Sequence, residues 1–181
     1  MKLMIASDLH GSAHFTEWLL TRFEAEHAER LVLLGDILYH GPRNDLPERY
    51  APKEVLLMLN PLADRILAVR GNCDCEVDQM VLKFPMLADY GFLLLNGRTV
   101  YLTHGHVVNR EHPLPFVQGD ILLHGHTHIP ACEDCGGFMY LNPGSVSIPK
   151  KGTRHSYMVY EDGVFVWKDL LSGERWQEYR L

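Results

Sequence analysis

The chain has 181 residues, 46% hydrophobic and 22% charged, the balance of an ordinary globular protein that can bury a core without staples. A net charge of −6 argues against a broad basic face for nucleic acid but leaves a phosphate-bearing substrate open, because bound cations would dominate the local field. The apolar start, Leu3–Ala6, is cut off by Ser7-Asp8 too early for a signal peptide, and no later run is long enough for a membrane span.

The expectation is therefore a single domain over residues 1–181, working in the cytoplasm with reduced thiols. Four cysteines fall in two pairs, Cys73/Cys75 and Cys132/Cys135. A structural zinc built on both pairs is the weaker reading, since the first spacing is tight and Cys73 lies inside a candidate site segment.

In chain order, the first half alternates strand and helix. Leu3–Ala6 is a short buried strand. Ser12 then caps a helix with Phe15, Trp18, Leu19 and Phe23 on one face. Leu31–Leu34 is a second strand, followed by a Pro-rich loop from about Leu38 to Ala51. Pro52 opens a helix that runs to about Leu59. The strand Ile66–Val69 and a short helix near Glu76–Leu82 complete this half. The second half changes to hairpins. Asn96-Gly97 joins Phe92–Leu95 to Thr99–Leu102, and Asp162-Gly163 joins Ser156–Tyr160 to Val164–Trp167. Ser172-Gly173 turns into Arg175–Tyr179. Parallel strands with helices followed by antiparallel hairpins predict an α/β protein of two packed sheets with helices outside. The aromatics Phe165, Trp167, Trp176 and Tyr179 are strand residues expected to pack rather than to stack on a substrate.

Five short segments carry the chemistry: Asp8-Leu9-His10, Gly35-Asp36, Gly71-Asn72-Cys73-Asp74, Thr103-His104-Gly105-His106 and Gly125-His126-Thr127-His128. Each comes after an apolar run, so strand ends would hold these loops from several directions toward one point. Asp8 and His10, two apart in extended backbone, would point the same way. The Asp36 carboxylate has two oxygens and is able to bridge two ions, and Asn72 offers a carbonyl oxygen. His104, His126 and His128 add neutral imidazoles, which suit Mn, Fe or Zn better than Ca or Mg. A lone histidine is more often a structural residue. Seven donors in five strand-ending segments are hard to read as separate accidents.

The order Asp-x-His, Gly-Asp, Gly-Asn-x-Asp, His, Gly-His-x-His resembles the signature of the calcineurin-like metallophosphoesterases, over residues 8 to 128. The short length and the Gly-Asn-Cys-Asp variant are most similar to small single-domain phosphodiesterases of the YfcE type. The resemblance implies two mixed β-sheets packed as a sandwich with helices on both outer faces, and a dinuclear centre at one edge. It assigns Asp8, His10 and His128 to one metal, and Asn72, His104 and His126 to the other, with Asp36 bridging. The ions would be Mn²⁺, with Zn²⁺ or Fe as alternatives. The implied reaction is hydrolysis of a small phosphodiester by in-line attack of a water or hydroxide held between the metals.

Three further residues are candidates for the chemistry. Cys73 stands where the family usually has a histidine, which puts the usual acid–base role in doubt and favours substrates whose leaving group departs easily. Asp74 is expected to position a neighbour, and His106 to orient His104 or touch substrate. His124 lies outside the Gly-His-x-His block and is read as structural. In the Pro-rich loop, His40 and Arg43 are candidate contacts for phosphate oxygens, against the alternative of a solvated loop. Two competing functions are carried forward. One is a non-catalytic scaffold for a protein partner, the use made of this fold in the retromer coat, and it is weakened by the complete ligand set. The other is a nuclease, weakened by the acidic balance. A homo-oligomer is left open.

Overall fold

The computed structural model describes residues 1–181. Strand β1 (Leu3–Ala6), helix α1 (Ala13–Ala25), β2 (Arg30–Leu33), α2 (Pro52–Leu59), β3 (Ile66–Ala68) and α3 (Glu76–Val81) alternate along the first half. Then come β4 (Tyr90–Leu95), β5 (Arg98–Thr103), β6 (Asp120–His124), β7 (Ala131–Asp134) and β8 (Phe138–Asn142), and finally β9 (Ser156–Glu161), β10 (Val164–Asp169) and β11 (Arg175–Arg180). The strands make a 6-stranded sheet in the order β11-β10-β9-β1-β2-β3 and a 5-stranded sheet in the order β4-β5-β6-β8-β7. Both are mixed: β1, β2 and β3 run parallel, as do β5, β6 and β8, and the remaining pairings are antiparallel.

Period-two alternation in β1 explains its position. Leu3 and Ile5 point into the layer between the sheets, with Val32 and Leu34, Val100 and Leu102, Ile121 and Leu123. Met4 and Ala6 point the other way, onto Leu19 and Phe23 of α1 and Val55 and Leu59 of α2. A strand covered on both faces has no use for polar residues, which is why the run is wholly apolar. Ser12 Oγ caps α1 by accepting from the Phe15 N–H at 3.3 Å. Trp18, expected on the buried face of α1, is instead 37% exposed, while Phe15, Leu19 and Phe23 are buried.

The two-sheet sandwich agrees with expectation, but the helices do not cover both outer faces. No helix follows Val81. The crossover from β5 to the parallel β6 is an irregular segment containing His112-Pro113-Leu114-Pro115, and prolines so spaced cannot sustain a helix. Its Phe116 ring covers Tyr101 and Phe138 at 5.0 and 4.4 Å. The hairpins at Asn96-Gly97 and Asp162-Gly163 have positive φ at both turn residues, the backbone their sequences favour. No helix is long and apolar enough to cross a membrane.

Candidate metal centre

The C-terminal ends of β1, β2, β3, β5 and β6 lie along one edge of the sandwich, and all five ligand segments leave the sheets there. Asp8, His10, Asp36, His104 and His128 are buried. Asp8 Oδ1 lies 3.2 Å from His128 Nε2 and 3.6 Å from His10 Nε2, and those two nitrogens are 3.2 Å apart. A second set surrounds His104 Nε2, which is 3.1 Å from Asn72 Oδ1 and 3.2 Å from His126 Nδ1. One atom belongs to both sets: Asp36 Oδ2 is 3.6 Å from His10 Nε2 and 3.4 Å from His104 Nε2. Donors about 2.0–2.2 Å from a shared ion stand roughly 3–3.5 Å from each other, so this spacing fits two ions joined through Asp36. Asp8 Oδ1 is buried without any hydrogen-bond partner, which is the environment of an oxygen reserved for a cation.

The imidazoles are aimed from behind. His10 Nδ1–H donates to the Tyr39 carbonyl at 2.9 Å, His104 Nδ1–H to Leu34 at 2.7 Å and His128 Nδ1–H to Ile148 at 2.6 Å. In the neutral imidazole each bond keeps the proton on Nδ1, so that the Nε2 lone pair is the one turned toward the centre. The Asp8 carbonyl is held in turn by the hydroxyls of Ser145 and Ser147, at 2.9 and 3.0 Å.

The backbone reason for the convergence differs from the sequence expectation. Asp8 and His10 are not extended: their φ values are +59° and +47°, and Asp36, His126 and His128 have φ of +55°, +63° and +60°. Five of the seven proposed ligands thus occupy the left-handed region, which non-glycine residues adopt at a cost of about 1–3 kcal/mol each when strained. Left-handed kinks, not strand pleat, bring Asp8 and His10 together. The glycines beside them permit close approach. A Cβ on Gly71 would lie 2.1 Å from Asp36 Oδ1, and one on Gly125 would lie 1.9 Å from Ser7 Oγ.

The electrostatics fit cations. Burial opposes charge on Asp8, but the imidazoles of His10 and His128 beside it hold its carboxyl well below the usual range. Burial likewise disfavours a charged His104, yet its bond to Asp36 and the Asp8 charge raise it to about 9. His126 is pushed down to about 4 by burial and by His104. A buried group of acids that draws protons onto imidazoles is one that divalent ions would satisfy better.

The remaining candidates separate by place. Asp74 is buried and faces backbone, with Oδ2 accepting from Asp36 N–H (2.8 Å) and Gly71 N–H (2.7 Å), and Oδ1 from Ile37 N–H (2.9 Å). Cys73 lines a cleft of about 330 Å³ beside Asp36, Asn72 and His126, and its thiol joins His10 and Asp36 in one cluster of donor atoms. Burial and the neighbouring Asp36 carboxylate push that thiol far up, so it stays protonated. Arg43 lines the same cleft. His40 does not; its ring packs edge-on against Tyr39 and Tyr50, at 4.7 and 5.1 Å. His106 is exposed, with its ring centre 6.3 Å from that of His126. Lys150 also lines the cleft and was not singled out from sequence, since a lysine in a loop carries no spacing signal. His124 stacks on Tyr140 at 4.3 Å, beside the centre rather than in it.

Residues 1–162 match the calcineurin-like phosphoesterase superfamily domain. Phosphodiesterase YfcE of Escherichia coli K12 is 51% identical over 164 residues, covering 91% of this chain and 89% of that protein. The solved structure of the E. coli phosphoesterase Yfce superposes with a TM-score of 0.96 at 47% identity, over 99% of both chains. The probable metallophosphoesterase YsnB of Bacillus subtilis is 26% identical over 88% of this chain and 83% of its own. Vps29 of Entamoeba histolytica, solved with Zn²⁺, shares the fold at a TM-score of 0.61 and 20% identity, over 100% of this chain and 98% of its own.

Proposed function

The chain belongs to the calcineurin-like phosphoesterase superfamily, and on that premise we propose that it is a dinuclear-metal phosphodiesterase acting on a small diester. The observation that supports this reading is the position of Asp36 Oδ2, 3.6 Å from His10 Nε2 and 3.4 Å from His104 Nε2, beside the cluster of Asp8, His10 and His128. Asp8, His10 and His128 would hold one ion and Asn72, His104 and His126 the other, with Asp36 shared. When bound, the pair supplies an activated water and charge neutralisation for in-line displacement. The mixed nitrogen and oxygen donors suit Mn²⁺ best in this proposal, with Zn²⁺ and Fe as alternatives.

The protein's own groups then orient the ester. Arg43 and Lys150 line the same cleft as Asp36, Asn72, His126 and His128, where a guanidinium and an ammonium would take non-bridging phosphate oxygens. The Cys73 N–H donates to Asp36 Oδ1 at 2.8 Å and so fixes which oxygen of that carboxylate faces the centre. The protonated Cys73 thiol is a weak donor, so a departing alkoxide gains little from it. That supports activated diesters as preferred substrates over monoesters and poor leaving groups. Asp74 acts as a positioning residue in this scheme. The cytoplasm is the proposed place of work. A scaffold role draws no support from the site, because all seven ligand positions carry donors.

The test is hydrolysis of bis-p-nitrophenyl phosphate beside p-nitrophenyl phosphate, using chelator-stripped protein with Mn²⁺, Zn²⁺, Mg²⁺ or no metal. Restored diester cleavage, absent in Asp36→Asn, is the expected result. Folded protein with no turnover under any metal would sink the enzyme reading and leave the scaffold.

A further inference from the structure

Each of the two sheets ends in two edge strands, and β4 is the one left unguarded. β3 has only 3 residues, β7 has 4 and ends on Glu133-Asp134, and β11 carries Arg175, Glu178 and Arg180. Shortness and charge are the usual means by which an edge is kept from pairing with another chain. β4, Tyr90-Gly91-Phe92-Leu93-Leu94-Leu95, has 6 residues with neither a charge nor a proline among them. Its alternate side chains Tyr90, Phe92 and Leu94 are 52%, 60% and 73% exposed.

The hairpin fixes which backbone groups of β4 are free. Its two-residue turn, Asn96-Gly97, is flanked by Leu95 and Arg98, and the pair that closes such a turn is hydrogen-bonded. Bonding alternates from there. Leu95, Leu93 and Gly91 therefore bond to β5, while Tyr90, Phe92 and Leu94 aim N–H and C=O away from the sheet. No backbone bond reaches them from any other element. The same residues thus carry both the free backbone groups and the bare side chains. Phe92 also stands opposite Tyr101, whose ring packs on Phe116 and through it on Phe138, so it forms the open end of an aromatic row.

We propose that β4 pairs with β4 of a second copy of the chain, antiparallel about a two-fold axis at Phe92, joining two 5-stranded sheets into one. In this register Phe92 faces its own copy and Tyr90 faces Leu94 of the second copy, all on one side of the sheet. Every facing pair then exchanges N–H···O=C bonds, and the two aromatic rows meet. A slip of one residue would set a free backbone group against one already bonded to β5, and a slip of two would leave one end of the stripe bare. The second copy is the fitting occupant because β4 is its own complement: its hydrogen bonds match, its side chains share a face, and with no charge in the strand the two-fold brings no like charges together. The axis reverses strand direction, so the two metal centres, at the C-terminal ends of β5 and β6, lie toward opposite ends of the joined sheet.

Sedimentation equilibrium of the Mn²⁺-loaded protein tests this. The wild type should show at least twice the 20.7 kDa of one chain. Tyr90→Lys/Leu94→Lys sets lysine against lysine at both outer positions and should raise the dissociation constant of this contact about a hundredfold or more. Tyr90→Lys/Leu94→Glu places as many charges at the same exposed positions but faces each lysine with a glutamate. It should recover most of the association, which also shows that the sites tolerate charge in the folded chain. A wild type that stays monomeric would overturn the self-pairing and leave the edge to an extended peptide of another protein. Equal association of the two double variants, whether both pair or neither does, would overturn the register.

Discussion

Asp74 holds Asp36 by its backbone: the Asp36 N–H reaches Asp74 Oδ2 at 2.8 Å, and the same oxygen takes the Gly71 N–H at 2.7 Å. One carboxylate thus ties the turn after β2 to the turn after β3, and the two turns carry Asp36 and Asn72. Burial and the charge of Asp36 push Asp74 up to about 6, although the N–H donors act against the rise. In Asp74→Asn, one oxygen becomes an NH₂ group facing backbone N–H donors. The expected cost is about 1–3 kcal/mol of stability, from buried donors left without acceptors. Metal affinity should fall with it. Thermal unfolding of the metal-free variant separates the two effects, and an unchanged midpoint would mean the turns hold without this carboxylate.

Gly125 is a steric test of the same edge. A Cβ there would sit 1.9 Å from Ser7 Oγ and 2.7 Å from Asp8 Oδ2, in a place where neither neighbour is free to move. Gly125→Ala should cost about 1–3 kcal/mol, as overpacking does, and reduce bound metal by displacing Asp8. Gly137→Ala is the control, because its Cβ would meet nothing within 4 Å. Metal content by elemental analysis and unfolding midpoints of both proteins decide the matter. Equal behaviour would show that the crowding at Gly125 relaxes at no cost.

These contacts show what was legible in the sequence. Asp8, Asp36 and the histidines stood out because each follows an apolar run, and carboxylates and imidazoles at several strand ends are a rare pattern. The turns at Asn96-Gly97 and Asp162-Gly163 were visible for a local reason, their need for positive φ. Strands β7 and β8 were missed. β7 is a 4-residue edge strand, Ala131–Asp134, with no buried residue to produce a period. At Asp8 and His10 the two-residue spacing suggests strand pleat, whereas the chain kinks left-handed at both, which no residue type there announces. Ser145 and Ser147 were invisible as supports: they reach Asp8 from 137 and 139 residues away, and nothing local marks them.

Metal binding should release protons. In the metal-free protein His104 is held at about 9, against burial, by its bond to Asp36 and the charge of Asp8. It is therefore protonated at pH 7 and must lose that proton to become a ligand. His126, pushed down to about 4, has none to lose. Calorimetric titration with Mn²⁺ in two buffers of different ionisation enthalpy should report at least one proton released per centre at pH 7, and affinity should rise up to about pH 9. The same shift has a stability consequence. The folded pKa exceeds the unfolded value of about 6.5, so the protonated His104 stabilises the metal-free protein fully below that pH. The contribution fades as pH rises through 9, and the metal-free unfolding midpoint should drop over that window. Binding enthalpies independent of buffer would contradict the protonated His104.

Cys73 limits the range of leaving groups in the proposed reaction. Its thiol lines the cleft within the cluster formed with His10 and Asp36, and it is kept protonated by burial and by the Asp36 carboxylate. Gly41 packs against it so closely that a Cβ there would be 2.9 Å from Sγ, and both residues line the cleft. An imidazole at this position would have room to reach a leaving oxygen. Positioned acid catalysis contributes about 10²–10⁴-fold, and the gain grows as the leaving group worsens. Cys73→His should then raise kcat for an alkyl-leaving diester by about 10² while changing an aryl ester much less. Cys73→Ser should leave the ratio where it is, since a hydroxyl supplies no comparable acid. A series of diesters graded by leaving-group pKa gives the measurement, and a dependence equally steep in wild type and Cys73→His would remove Cys73 from any role at the leaving group.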